Sequence, residues 1–224
     1  TRDLMKEPKN PQTHGQCRLC SKSITLQGAK RHAAVCFQTG QQVPNSYIIK
    51  IQAPATRPTY WLILSVPFTA TLENLDSFLR DIWLECCGHM SIFQIGGTLF
   101  SSYLEPSPYD SSSELPMTLK IEDTLKMGVK FTHRYDMGST TTLYLETIGI
   151  HHSKAADIQL LIQNDAPSFS CGTCGKSATL VCSVYGVYSC ERCYAKLDEA
   201  ETYFLPIVNS PRTGTCGYTG GGFF

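Results

Sequence analysis

The spacing of the cysteines constrains this chain more than any other feature of its sequence. Eleven cysteines occur in 224 residues, and most of them fall into two runs, 17–36 and 171–193, which both contain Cys-x-x-Cys pairs. Disulfide-rich secreted proteins spread their cysteines through a small chain, whereas paired cysteines at this spacing are typical of zinc sites in a reducing compartment. We therefore expect zinc, thiols that are free or metal-bound, and a cytoplasmic location.

The first run has the ligand spacing of a zinc finger: Cys17, Cys20, His32 and Cys36. Zn²⁺ takes four soft or borderline ligands in a tetrahedron. The two cysteines fit a tight knuckle, and the last two ligands share one face of a helix because they are four residues apart. The run predicts a Cys-Cys-His-Cys finger of ββα type, with a disulfide or unliganded thiols as the alternative.

Positive charge is concentrated around this finger. Residues 1–40 carry seven Lys or Arg and two Asp or Glu, a net charge of +5, whereas residues 41–165 carry eight and thirteen, a net charge of −5. We expect Lys22, Lys30 and Arg31 to contact phosphates of a nucleic acid or an acidic protein partner. The alternative is that they are solvated charges on a structural finger.

The finger is a poor candidate for sequence-specific DNA recognition. If His32 takes the usual ligand position in the finger helix, the base-reading positions fall at Thr25, Gly28 and Arg31. Arg31 is the one strong reader of base edges among them. A single finger covers roughly three base pairs, so we expect any nucleic-acid binding to be weak and tolerant of sequence.

The second run has the spacing of a four-cysteine zinc site: Cys171, Cys174, Cys190 and Cys193. We therefore expect two zinc ions per chain. Cys182 and Cys216 are left over. They could join a third site with two ligands from elsewhere, or pack as small buried residues.

The central part of the chain has the pattern of an α+β domain. Two β-rich runs, 47–53 and 58–66, predict a hairpin. Apolar residues at helical spacing predict a helix over 72–87, with Thr71 as its N-cap and Gly88 after its last turn. Further runs of strand-forming residues follow this helix along the chain.

These elements predict an α+β fold with a β-grasp-like sheet and one main helix, flanked by two small zinc-binding modules. Hydrophobic residues make up 42% of the chain and charged residues 17%, as in folded proteins. A polar linker leads us to expect that the finger melts independently. The predicted segments are a flexible N-terminus (1–16), the finger (17–36), the linker (37–46), the α+β domain (47–165), and the four-cysteine module with a C-terminal tail (166–224).

Several segments of the chain have a distinctive amino-acid sequence: PTYWLILSVPFTATLENLDSFLRDIW, GHMSIFQIGG, YDMGSTTTLYL, and CGYTG after LPIVNSPRTG. Together they resemble the plasmid pRiA ORF-three-like family, in the branch that bears zinc fingers, over nearly the whole chain from about 17 to 220. The resemblance implies an α+β domain with cysteine clusters on both sides. It implies little about mechanism, because the biochemical role of the family is poorly defined.

One motif of that family is largely replaced here. Many members carry a second acid, a Trp and a His just after the Tyr-Asp-x-Gly turn, and these places hold Ser139, Thr141 and Leu143. Asp136 and His89 remain from the pattern. The resemblance therefore implies that any polar site built by the motif is mostly missing.

The residues offer little support for catalysis. A nucleophilic cysteine needs a base and a lowered pKa, but Cys86 and Cys87 end the predicted helix, where the helix dipole disfavours a thiolate. These two and His89 could instead help to bind a metal, although core and cap roles fit them better. Asp136 precedes Gly138 and fits a turn-stabilising role. No P-loop, GxSxG or HExxH motif occurs.

We therefore expect a non-catalytic, zinc-dependent binding or adaptor protein that contacts nucleic acid or an acidic protein. The alternative is an enzyme of unknown class that uses Asp136 and His89. The longest apolar runs, such as Tyr60–Leu64, have five residues, and a membrane-spanning helix needs about 20. We therefore expect no membrane partner.

Overall fold

The computed structural model describes residues 13–37, 40–54, 56, 59–104, 114–197 and 203–221. Its helices are α1 (Ala29–Cys36), α2 (Leu72–Leu79), α3 (Ile121–Thr124) and α4 (Glu191–Tyr194). Its strands are β1 (His14–Cys17), β2 (Ser23–Thr25), β3 (Ser46–Ala53), β4 (Tyr60–Pro67), β5 (Ser91–Ile95), β6 (Thr98–Ser101), β7 (Leu115–Pro116), β8 (Lys130–Tyr135), β9 (Thr141–His151), β10 (Gln159–Asn164), β11 (Leu180–Cys182), β12 (Tyr188–Ser189) and β13 (Phe204–Pro206).

Ten of these strands form one large sheet in the order β2-β1-β10-β4-β3-β9-β8-β5-β6-β7. Its neighbours are antiparallel except for the parallel pair β6 and β7. The remaining strands form a second sheet in the order β12-β11-β13. The mixed α and β content is confirmed, but ten strands exceed the small β-grasp sheet that the sequence predicted.

Helix α2 covers one face of the large sheet. Leu72, Leu75 and Leu79 are fully buried in the same apolar cluster as Leu62 and Leu64 of β4. Each fully buried leucine stabilises the fold by about 1.5–3 kcal/mol relative to an exposed one. This packing fixes α2 across the sheet.

The N-cap prediction for α2 is confirmed. The Thr71 hydroxyl accepts a hydrogen bond from the Asn74 amide at 3.1 Å, and the Asn74 side chain accepts one from the Thr71 amide at 2.9 Å. Such a reciprocal cap satisfies two amides that the first helical turn leaves free. The predicted helix end is wrong, because a π-helical turn, Arg80–Leu84, follows α2 and Glu85 is already extended.

The finger elements β1, β2 and α1 belong to the large sheet. Strand β1 pairs with β10, and a Cβ at Gly15 would clash with the Gln163 carbonyl, so the strands need a glycine there. On the face opposite α2, Ala29 and Ala33 of α1 are buried with Trp61. Residues 14–16 lie in β1, so the predicted flexible N-terminus is wrong for those residues. The pairing of β1 with β10 joins the finger directly to the large sheet, in addition to the chain connection after α1.

The C-terminal segment, residues 203–221, returns to the central domain after β13. The Trp83 indole N–H donates to the Asn209 carbonyl at 3.0 Å, and the Ser210 hydroxyl donates to the Trp83 carbonyl at 2.7 Å. The Asn209 side-chain amide also donates to the Asn164 carbonyl at 2.7 Å. The sequence also predicts a short helical stretch over 198–204, but residues 198–202 lie outside the described part of the chain and Phe204 begins β13.

Among the helices of the described ranges, none has the length and apolar character needed to cross a membrane.

Candidate metal centres

Cysteine and histidine side chains converge at three places in the described part of the chain, and all eleven cysteines are free thiols. At each place, four ligand atoms lie within 4.8 Å of one another. The first cluster is Cys17, Cys20, His32 and Cys36. The second is Cys171, Cys174, Cys190 and Cys193, and the third is Cys86, Cys87, His89 and Cys216. Each could hold a metal ion, since thiolate sulfur and imidazole nitrogen are the ligands of compact four-coordinate sites.

The first cluster joins the β1–β2 connection to helix α1. Cys17 and Cys36 place their sulfur atoms 3.9 Å apart, and the Cys20 sulfur lies 3.8 Å from His32 Nε2. Burial lowers the pKa of His32, which favours the neutral imidazole that a metal needs. The elements thus bring the four predicted ligands together.

Crowded thiols compete for ionisation in this cluster. The backbone amide of Lys22 lowers the pKa of Cys20, whereas burial and the thiols of Cys20 and Cys17 raise the pKa of Cys36 to about 12. Like charges this close disfavour each other. A divalent cation is the partner that lets all of the thiols ionise.

The second cluster lies in the module with the three-stranded sheet. Cys174 and Cys190 have sulfur atoms 3.7 Å apart. A hydrogen bond from the Cys190 backbone is the main cause that lowers the pKa of Cys171 to about 5, while the thiols of Cys174 and Cys190 raise the pKa of Cys193 to about 12. The same competition for charge therefore recurs here.

The third cluster was not predicted as a set. Cys86, Cys87 and His89 follow the π-helical turn, and Cys216 arrives from the C-terminal segment with its sulfur 3.4 Å from His89 Nε2. Cys182 instead lies buried in β11, outside the three clusters found in the described residues. The structure therefore separates Cys182 from Cys216.

Asp136 holds an ion pair beside the third cluster. Its carboxylate accepts a hydrogen bond from the fully buried Arg212 at 2.6 Å and others from the Gly138 and Ser139 amides. Burial raises the pKa of Asp136, but these partners outweigh it and lower the pKa to about 2. His89 Nε2 is 3.7 Å away, beyond a hydrogen bond. Asp136 is thus an acceptor that positions Arg212.

The predicted contact residues Lys22, Lys30 and Arg31 are all exposed on the finger. Lys30 lies close enough to the sheet to help lower the pKa of Glu146 on β9. Thr25, one of the predicted base-reading positions, is half-buried, and its hydroxyl accepts a hydrogen bond from the Gly28 amide at 3.2 Å. Thr25 and Gly28 thus serve the finger's own structure.

Next to the finger helix, the large sheet presents a polar surface. We call it the open sheet face and define it by side chains of β3, β9, β8 and β5 that alternate with residues packed under α2: Lys50, Gln52, Gln94, Lys130, Thr132, Arg134, Tyr144 and Glu146. A groove of about 500 Å³ is lined by all of these except Arg134. This face cannot be predicted from local sequence patterns, because it depends on the pairing of strands far apart in the chain.

Cross-strand register arranges the open sheet face in rows. Lys50 and Lys130 lie opposite Glu146 on either side, and Lys50 donates to its carboxylate at 2.6 Å. In the next row, Tyr144 lies between Gln52 and Thr132 and is 47% exposed. An exposed aromatic ring therefore stands beside two lysines.

Comparisons with known proteins found no matching family model and no matching curated protein. Among solved structures, the chain is similar to a protein of unknown function, MM3350, from Methanosarcina mazei Go1. The two are 16% identical, and the match covers 54% of this chain and 69% of that one with a TM-score of 0.45. The resemblance to the pRiA ORF-three-like family therefore stays a prediction.

Proposed function

We propose that this protein is a non-catalytic zinc protein that binds single-stranded nucleic acid, without strong sequence preference, across the finger and the open sheet face. The observation that carries the proposal is the cationic surface around Tyr144. Lys30 of the finger adjoins a face that contains Lys50, Lys130 and Arg134, and Glu146 is the acid among the residues that define that face. Phosphates are the partners that such a surface fits.

The charges on this surface are only partly neutralised from within. Hydrogen bonding to Lys50, with weaker effects of Lys130 and Lys30, lowers the pKa of Glu146. The single negative charge of Glu146 therefore neutralises only part of the charge of these three lysines. Arg134 adds a further positive charge to the same face, where it lies opposite Thr142 of β9 and Ile92 of β5. The remaining positive charge supports a polyanionic ligand.

The exposed ring of Tyr144 favours a single strand over a duplex. Unpaired bases stack on aromatic side chains of a sheet, and one such stack contributes about 1–3 kcal/mol. Gln52 and Thr132 flank the ring and offer donors and acceptors to base edges. A duplex keeps its bases stacked on each other and cannot use the ring.

Zinc is the ion we propose for the first two clusters. Three thiolates with one imidazole, and four thiolates, are the donor sets of structural zinc sites. We also retain, as proposals, membership of the pRiA ORF-three-like family and a cytoplasmic location. The engagement of Asp136 by Arg212 supports a non-catalytic role over the enzyme alternative.

The test is fluorescence anisotropy with a labelled mixed-sequence single strand and the matching duplex at several salt concentrations. Four phosphate contacts give a log–log salt slope of about −3 for a single strand. The change Tyr144→Ala should weaken single-strand binding by about tenfold, which corresponds to loss of one stack. Lys130→Ala should make the slope shallower by about 0.7.

The triple change Lys22→Ala, Lys30→Ala, Arg31→Ala tests the finger side in the same assay, and Lys176→Ala, an exposed lysine of the four-cysteine module, is the matched control for the single change Lys130→Ala. Equal loss with the control would indicate nonspecific charge effects and contradict the proposed surface. Absence of single-strand binding at low salt would overturn the nucleic-acid proposal and leave an acidic protein as the partner to test.

A further inference from the structure

Cys86, Cys87, His89 and Cys216 form a four-ligand set that no local spacing reveals. Three of the ligands lie within four residues of each other, and Cys216 is 127 residues beyond His89. Two separate segments of the chain thus supply ligand atoms to one point, all within 4.8 Å. Three thiols and an imidazole match the donor set of the finger cluster.

The backbone of this cluster repeats a feature of the two predicted sites. The residue after a ligand cysteine has a positive φ at Ser21 (58°) in the first site and at Gly175 (70°) in the second. In the third cluster the same holds for Gly88 (70°), after Cys87, and for Gly217 (68°), after Cys216. Both chain segments that supply ligands to the third cluster therefore contain the same turn after a cysteine as the two predicted sites.

Cys216 itself adopts a left-handed conformation, with φ at 48°. For a residue with a Cβ this conformation costs on the order of 1 kcal/mol, and such strain concentrates at functional positions. Glycine would avoid the cost, as it does at the next residue. A metal ion bound to the Cys216 sulfur would explain why a cysteine, and not a glycine, occupies this strained position.

Arg212 supplies a compensating charge. Its guanidinium is fully buried, donates to the Cys86 sulfur at 3.3 Å and is held by Asp136 at 2.6 Å. Three thiolates around a divalent cation carry a net charge of −1, and a guanidinium N–H directed at one of the sulfur atoms stabilises that charge locally. A hydrogen bond to a ligand sulfur also orients that ligand.

We propose that Cys86, Cys87, His89 and Cys216 bind a third zinc ion, and that this ion fastens the C-terminal segment to the central domain. The segment already contacts the π-helical turn through Asn209 and Ser210. Because its ligands come from both sides of this contact, the metal closes the contact as a crosslink. The inference is independent of the nucleic-acid proposal, because none of the four ligands belongs to the finger or to the open sheet face.

Native mass spectrometry of the full chain tests the proposal directly. The wild type should carry three zinc ions, and Cys216→Ser should carry two. Cys182→Ser is the matched control, because Cys182 is buried outside the clusters, and it should keep three. A wild type with two zinc ions, or a Cys216→Ser protein that keeps all of the metal, would overturn the assignment.

Two variants of His89 keep the test decisive if Cys216→Ser fails to fold. His89→Cys converts the set to four thiols and should retain three zinc ions, whereas His89→Ala should bind the third ion at least tenfold more weakly in a chelator competition. In hydrogen exchange, His89→Ala should deprotect residues 210–218, and His89→Cys should not. Equal zinc content and equal exchange in the two variants would show that His89 is not a ligand.

Discussion

Asp76 is a buried carboxylate shared by a histidine and an arginine. It accepts a hydrogen bond from His133 at 2.6 Å and forms an ion pair with Arg80 at 2.7 Å. We predict that Asp76→Asn lowers the free energy of unfolding by about 2 kcal/mol, since it removes the charge-assisted hydrogen bonds of a buried carboxylate while Glu85 still pairs with Arg80 at 2.8 Å. Urea denaturation at neutral pH measures this loss. Asp81→Asn, on the exposed side of the π-helical turn, should change stability by less than about 0.5 kcal/mol.

The same residue gives a stability difference that depends on pH. Burial raises the pKa of Asp76, but His133 and Arg80 outweigh it, so the folded-state pKa lies below its ordinary value. The ionised carboxylate therefore contributes its full stability above the unfolded pKa of about 3.9, and the contribution is lost as the pH falls through the folded pKa. The gap between wild type and Asp76→Asn should narrow in acid, and a constant gap would contradict this account.

At the level of single residues, the sequence predicted the metal ligands that lie close together in a recognisable spacing. Cys86, Cys87 and His89 were recognised as a candidate group, but Cys216 could not be assigned to them. The reason is physical, because 127 residues and a chain reversal separate Cys216 from His89. Spacing rules describe knuckles and helical turns, and carry no information on contacts of that range.

Among the elements, strand β1 decides how strongly the finger is coupled to the rest of the fold. It pairs with β10, and the Arg18 amide donates to the Leu161 carbonyl at 2.9 Å. We predict that Cys20→Ser, which removes an exposed finger ligand, increases hydrogen exchange in β10 as well as in the finger. Cys174→Ser, an exposed ligand of the other module, is the control and should leave β10 protected.

Coupled exchange of the finger and β10 would differ from the independent melting of the finger that the sequence predicts. The sequence of a four-residue strand such as β1 does not indicate which strand it pairs with. A polar stretch such as 37–46 is typical of a linker, so the sequence predicts an independent finger. Helix α2 was easier to predict, since its cap and its apolar spacing are local. Its end was harder to predict, because the π-helical turn contains Trp83, whose hydrogen-bond partner Asn209 is 126 residues away in the chain. If Cys20→Ser increased hydrogen exchange only in the finger, this result would contradict the coupling through β1 and support an independently melting finger.

At the scale of the whole molecule, the pair Asn164 and Asn209 joins the large sheet to the segment that leads from the four-cysteine module. Each side chain donates to the other residue, at 3.1 Å and 2.7 Å. We predict that Asn209→Ala lowers exchange protection over residues 203–221 by about thirtyfold, because it removes two hydrogen bonds that each contribute about 1 kcal/mol. Thr124→Ala removes an exposed hydrogen bond to the Lys120 carbonyl, outside that segment, and serves as the control. Protection equal to wild type would contradict the coupling.

The position of the finger at the end of the large sheet has a consequence for solubility. Strands β2 and β1 form one edge of the sheet, and without them β10 would present its unpaired amides and carbonyls to solvent. An exposed edge strand is a template for pairing with another chain, and the sequence of β10, QLLIQN, is uncharged with three apolar residues at its centre. We therefore expect that loss of the finger fold, for example when a metal bound there is chelated, would leave β10 open to edge-to-edge pairing with another chain.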